Sequence, residues 1–197
     1  IGLFGLKSAN LAIGYIQVPL VLGYLDQTRY GIWVTLSVLL GWFHLFDVGL
    51  GHGLRNRLAE AIAVKDYDKA KIFVSTSYAA LSVIFGFVFV IFLVANIFLD
   101  WSEILNTPII MQVELKHLAI IVFFFFCFRF VTKLTETIAY ALQEPALSQL
   151  LNFGGRFIAL VGIFILIHTT ESSLINLGIV LASTPVLTGI ITTFILF

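Results

Sequence analysis

Residues 72–99 read IFVSTSYAALSVIFGFVFVIFLVANIFL, an unbroken run without a charge between Lys71 and Asp100. The hydrocarbon core of a bilayer is about 30 Å thick, and a helix crosses it with about 20 apolar residues. The run therefore predicts a membrane-spanning helix with a charged border at each side. It lacks period-two alternation and regular turn signals, so the strands of an outer-membrane barrel do not fit it.

Outward from this run, the same pattern repeats. Span one lies between Lys7 and Asp26, and span two extends from about Tyr30 to Gly49 with Asp47 near its end. Residues 72–99 are span three. Span four, about Leu118 to Leu142, is interrupted by Arg129, Lys133 and Glu136. Span five, about Leu147 to Ile167, contains Arg156, and span six follows Glu171, after which no charge occurs. The expected fold is all-α: a polytopic transmembrane helix bundle of about six spans, forming one unit over residues 1–197.

Composition agrees. Hydrophobic residues make up 60% of the chain and charged residues 11%, against roughly a quarter charged in soluble domains. Too few polar residues remain to cover a soluble surface. Eleven basic and eleven acidic residues cancel, so charge predicts no nucleic-acid partner. The lone Cys127 excludes an intrachain disulfide and a CxxC redox or metal site. His44, His52, His117 and His168 are scattered over different spans and loops, so no metal ligand set and no cofactor is expected. The chain opens at Ile1 without a methionine and closes inside the apolar run Thr193 to Phe197. It reads as a fragment of a longer protein, without a removable signal peptide.

Charge bias orients the bundle. The loop at about 52–73 carries Arg55, Arg57, Lys65, Lys69 and Lys71, whereas the loop at about 99–117 sets Lys116 against Asp100, Glu103 and Glu114. Short cytoplasmic loops are enriched in lysine and arginine, so the first loop is expected inside and the second outside. Leu54, Leu58 and Ile62 fall on one helical face of the inner loop, with charges on another. A cytoplasmic amphipathic helix on the membrane surface is expected there; a solvated linker without a binding role is the alternative.

Tyr30-Gly31-Ile32-Trp33, Phe46-Asp47-Val48-Gly49-Leu50-Gly51 and Gly53-Leu54-Arg55-Asn56-Arg57-Leu58-Ala59-Glu60-Ala61 form a distinctive series. Asp66-Tyr67, Ala70-Lys71 and Val74-Ser75-Thr76-Ser77-Tyr78 continue it. Over about residues 26–80 the chain resembles the bacterial lipid-linked oligosaccharide flippases of O-antigen and exopolysaccharide pathways. They are a branch of the superfamily that also holds multidrug and toxin exporters. Beyond residue 80 only hydropathy and span spacing support the likeness. The resemblance implies a two-lobe transporter of which this chain is the amino-terminal six-helix lobe, with the carboxy-terminal lobe missing. It further implies a multi-pass protein of the bacterial inner membrane, acting in polysaccharide and lipopolysaccharide biosynthesis. Its substrate would be an undecaprenyl-pyrophosphate-linked oligosaccharide, turned from the cytoplasmic to the periplasmic leaflet among the membrane lipids.

The residues themselves point to a polar interior. Arg129, Lys133, Glu136, Tyr140 and Gln143 recur at i, i+4, i+7, i+11 and i+14 on span four. Gln149, Asn152 and Arg156 form a second stripe on span five, and Lys7, Asn10, Gly14 and Gln17 a third on span one. Ser37, Gly41, His44, Asp47 and Gly51 make a looser stripe on span two. Charge within hydrocarbon costs a few kcal/mol per group and persists where it faces protein or water. An arginine donates a planar two-bond fork that matches a diphosphate. Arg129, Lys133, Arg156, Glu136, Asn152 and Gln17 are therefore the candidate substrate-binding residues.

A structural reading stands beside that one. In it Lys133 pairs with Glu136, Arg129 caps a carbonyl, Arg156 snorkels, and Asp47 bridges to Arg55 or Arg57. Gly154-Gly155 reads as a packing notch or hinge, and Pro185 should kink span six and free a carbonyl. A transporter is expected rather than an enzyme. The alternatives are a multidrug exporter of the same superfamily, which would favour acidic cavity residues, and a membrane-embedded polysaccharide polymerase or glycosyltransferase, which needs a catalytic cluster on a sizeable external loop. Sidedness is tested with a cysteine at Asp66, expected to be shielded from an impermeant thiol reagent in intact cells, and one at Glu103, expected to be labelled; the reverse pattern inverts the topology.

Overall fold

The computed structural model describes residues 2–43 and 50–196, which form helices and no strand. The helices are α1 (Gly2–Tyr24), α2 (Gln27–Phe43), α3 (Leu50–Ala63), α4 (Tyr67–Phe98), α5 (Trp101–Ile104), α6 (Gln112–Thr132), α7 (Leu134–Ala141), α8 (Pro145–Thr169) and α9 (Leu174–Leu196). A 3₁₀ turn, Ile109–Met111, leads into α6. His44 and Asp47 lie outside the described residues, and with them the expected pairing of Asp47 with Arg55 or Arg57. The side chain of Lys7 lies outside them too.

Helix ends follow from local chemistry. Asp66 caps α4 by accepting from the backbone N–H of Lys69. Asp100 caps the single turn of α5, and the Ser102 hydroxyl, followed by the backbone N–H of Glu103, holds its carboxyl below the usual range. Three helices end alike: Asp66 N bonds Ala61 O, Thr107 N bonds Ser102 O and Glu144 N bonds Ala139 O. The residues just before those donors, Lys65, Asn106 and Gln143, take positive φ of 59°, 49° and 61°. These are Schellman closures built without the glycine that fits them best.

Four helical stretches are long and apolar enough to cross a bilayer: Tyr67–Phe98, Ile109–Ala141, Ser148–Thr169 and Leu174–Ile195. This suggests a membrane protein. On α4, Val83, Phe87, Val90, Val94 and Ile97 share one face and are each more than half exposed, a stripe suited to lipid rather than water. The opposite face carries Phe85 and Phe92, which stack on Phe130 and Phe123 of α6 at 4.3 and 3.9 Å between ring centroids. The expected span four is α6 and α7 in line. At Lys133 the hydrogen-bond ladder tightens, with Glu136 N bonding Lys133 O at 3.0 Å. Of the other two expected spans, α1 is a 23-residue helix and α2 has 17 described residues.

α1 packs along α8, α8 along α9, α9 along α6, and α6 along α4. Glycines set the distances of α9 from α8 and from α6. A methyl group built at Gly155 would lie 2.5 Å from Thr188 Cγ2, and one at Gly162 would lie 2.7 Å from Val180 Cγ1. At Gly178 and Gly189 it would lie 2.6 Å from Leu118 Cδ1 and from Thr132 Cβ. α9 is thus wedged between α8 and α6 at four side-chain-free points. Of the expected Gly154-Gly155 notch, Gly155 is the packed member, while Gly154 has nothing within 4 Å. α9 continues through Pro185 as one helix.

The bundle has two unlike ends. At the upper end, Tyr24, Leu25, Trp101, Leu115, Leu174 and Leu177 belong to one buried cluster. There the Tyr24 hydroxyl meets Thr170 Oγ1 and donates to Glu171 O, both at 2.8 Å. Arg29 pairs with Asp26 at 3.3 Å and reaches Glu114 at 3.9 Å. The lower end carries α3. This is the expected amphipathic helix, but Leu54, Leu58 and Ala61 are buried against Leu81 of α4 and Leu134 and Ile138 of α7. Of the face expected on the membrane surface, Leu54 and Leu58 are buried in protein and Ile62 is partly buried.

Three stability outcomes follow. Gly189→Ala sets a methyl against the Thr132 Cβ, hydroxyl and backbone, and should cost about 1–3 kcal/mol. Gly86→Ala, with open space around it, should leave thermal unfolding in detergent unchanged or slightly raised. Gln143→Gly relieves a left-handed residue and should stabilise by roughly 0.5–1 kcal/mol, read as a higher unfolding midpoint in the same assay.

Candidate functional site

Below the upper core, α1, α6, α7, α8 and α9 surround a cavity of about 600 Å³. α1 contributes Asn10 and Gln17, α6 Arg129, α7 Glu136, α8 Gln149, Asn152 and Arg156, and α9 Thr184, Pro185 and Thr188. Arg156 stands eleven residues into α8 and Arg129 twelve residues before the end of α7. At 1.5 Å per residue both backbone positions lie roughly 17 Å along their helices from the lower ends, and both side chains line the one cavity.

Each charge is held differently. Arg156 Nη1 donates to the backbone carbonyl of Asn10 at 3.3 Å. It passes over Gly14, where a Cβ would sit 4.0 Å from Nη1. A larger side chain there would take the guanidinium's space. Arg129 is partly buried, and among the described residues its guanidinium has no hydrogen-bond acceptor and no ion-pair partner. It lies within electrostatic range of both Glu136 and Arg156. Two guanidinium groups and one carboxylate leave the cavity with a net charge of one positive.

Five of the six candidate residues therefore come together: Arg129, Arg156, Glu136, Asn152 and Gln17. Lys133 does not line the cavity. It stands at the tightened turn between α6 and α7, while Glu136 beyond that turn lines the cavity together with Arg129. Tyr140, also on the stripe, instead stacks under Arg55 of α3 at 5.5 Å. The structural reading in which Arg129 caps a carbonyl is not what the described residues form.

The α9 wall was less visible in the sequence. Thr184, Thr188 and Thr192 recur at i, i+4 and i+8 and are all buried. Each hydroxyl donates to the carbonyl one turn back, on Val180, Thr184 and Thr188. Pro185 has no N–H to offer the carbonyl of Leu181, and both residues line the cavity. On the other side of Gln17 and Leu181 opens a mostly apolar groove of about 330 Å³ between α1 and α2, flanked by Val18, Val21, Tyr30 and Trp33. Among the described residues no group of three His, Cys, Asp or Glu converges as a metal-ligand set.

Chemically the site is a cationic, partly open chamber with amides around it, joined to an apolar groove. It suits an anion attached to an apolar chain. Compared with known proteins, the chain matches no family model, no curated protein and no solved structure.

Proposed function

We propose that the chain is a transporter lobe that flips an undecaprenyl-pyrophosphate-linked oligosaccharide across the bacterial inner membrane for polysaccharide biosynthesis. The observation that carries this reading is the convergence of Arg129 and Arg156 on a single cavity. Their planar forks suit the two phosphates. Glu136 keeps the local positive excess at one charge, and Asn152, Gln149 and Gln17 offer amides to oxygen-rich groups. The adjoining groove gives the apolar chain of the same molecule a place beside its head.

In this reading α1 and α2 are spans as well, so that the bundle has six. Its lower end, with Arg55, Arg57, Lys65, Lys69 and Lys71, faces the cytoplasm. Substrate enters from that side, because the upper core closes the other. The carboxy-terminal lobe that the resemblance implies would cover the open face of the chamber. Catalysis has no place in the scheme: the groups offered bind charge and leave it unchanged.

The test is made in the protein's own cell, with Arg129→Ala and Arg156→Ala introduced singly. Each loses a charge-assisted contact of about 1.5–3 kcal/mol, so export of surface polysaccharide should fall roughly 10- to 100-fold at unchanged membrane abundance. Lipid-linked oligosaccharide should accumulate in the membrane. Lysine at either position should restore export in part, because it keeps the charge without the fork. Normal export by both alanine variants would overturn the proposal.

A further inference from the structure

A second cationic site lies at the lower end, apart from the chamber. α3 and α4 form a helical hairpin, closed by the left-handed Lys65 and the Asp66 cap. Arg57, Glu60, Ala61 and Val64 fall at i, i+3, i+4 and i+7 on α3, and Lys69 and Phe73 at i and i+4 on α4. These six residues line a cleft of about 580 Å³. Arg57 Cζ and Lys69 Nζ each stand 5.9 Å from the centroid of the Phe73 ring. Among the described residues neither cation pairs with a carboxylate within 4 Å, although Glu60 lines the same cleft. Two like charges gathered around one aromatic ring repel each other and gain only modestly from it. The arrangement is completed by an anion.

The depth of the cleft says which anion. Every residue from Ile72 to Leu99 is uncharged, and at about 1.5 Å per residue this run is about 42 Å long, the thickness of a bilayer with its headgroup regions. Lys69 and Phe73 therefore stand at its headgroup border, and Arg57 closes on the same ring. Lipid phosphates sit at this level. We propose that the α3–α4 cleft binds the phosphodiester headgroup of an anionic phospholipid, with Arg57 and Lys69 on the phosphate and Phe73 against the start of the acyl chains.

The charges agree. Two cations and Glu60 leave the cleft one positive, the complement of one phosphodiester. Arg55, Lys65 and Lys71 on the same hairpin add attraction for a net anionic lipid over a zwitterionic one. This proposal rests only on α4 crossing a bilayer and is independent of any transport function.

The test uses the whole chain purified in detergent at about 150 mM salt, where long-range attraction is screened beyond about 8 Å. Retention of phosphatidylglycerol, phosphatidylcholine and inorganic phosphate is read by native mass spectrometry and by the shift in thermal unfolding midpoint. The unaltered protein should retain and be stabilised by phosphatidylglycerol but not by phosphatidylcholine or phosphate alone. The double variant Arg57→Gln, Lys69→Gln should lose phosphatidylglycerol affinity by about tenfold or more. The equally charge-depleted pair Arg55→Gln, Lys71→Gln should lose less than about threefold. Equal losses in both pairs would reduce the cleft to general surface attraction and overturn the assignment. So would indifference of the unaltered protein to lipid charge, a result that does not depend on either variant folding.

Discussion

Within a bilayer two helices gain little by hiding apolar surface from each other, because lipid tails are as apolar as leucine. Their contact has to come from close fit. α9 obtains that fit where side chains are missing, at Gly178 and Gly189 facing α6 and opposite Gly155 and Gly162 of α8. With α9 drawn in on both flanks, the polar stripes of α6–α7 and α8 are held around one space instead of being turned apart toward lipid. The chamber depends on this wedge, since Thr184, Pro185 and Thr188 are its wall.

Several hydroxyl and amide groups in the bundle are satisfied where they stand. The threonines of α9 bond back to their own helix. Thr135, fully buried, meets Tyr78 at 3.0 Å and Thr193 at 2.8 Å, joining α4, α7 and α9 through hydroxyls. Asn96 accepts from the Trp101 indole where α4 gives way to α5. Among the described residues the Arg129 guanidinium has no hydrogen-bond acceptor, with Glu136 within electrostatic range. A guanidinium kept without an acceptor at such depth costs several kcal/mol unless something else meets it, and the proposed pyrophosphate is a group of the right charge and shape.

The two ends of the bundle divide the work. The upper end is apolar inside and latched by Tyr24, Thr170 and the Glu171 carbonyl, with acidic residues around it. The lower end is basic, and two features of opposite depth open near it: the chamber among the helices and the cleft at the border of the hydrocarbon. Both answer to anionic lipid chemistry, the one proposed for cargo and the other for the surrounding leaflet. They share no lining residue, so substitutions can separate them.

The sequence by itself determined the helices and their faces. The uncharged run 72–99 announced α4, and the spacing of Arg129 with Glu136 and of Asn152 with Arg156 marked the polar sides of α6–α7 and α8. Periodicity is a property of one helix at a time, and that is where its reach ended. It placed Lys133 on the stripe between Arg129 and Glu136, whereas only those two line the cavity. It gave α3 an apolar face but not that face's partner, which is protein. Only tertiary structure decided which faces meet, that Arg156 crosses to the Asn10 carbonyl over Gly14, and that Arg57 and Lys69 flank Phe73. Such pairings join residues far apart in the chain through close approach at glycines and helix ends, and no spacing rule along a single helix encodes that distance.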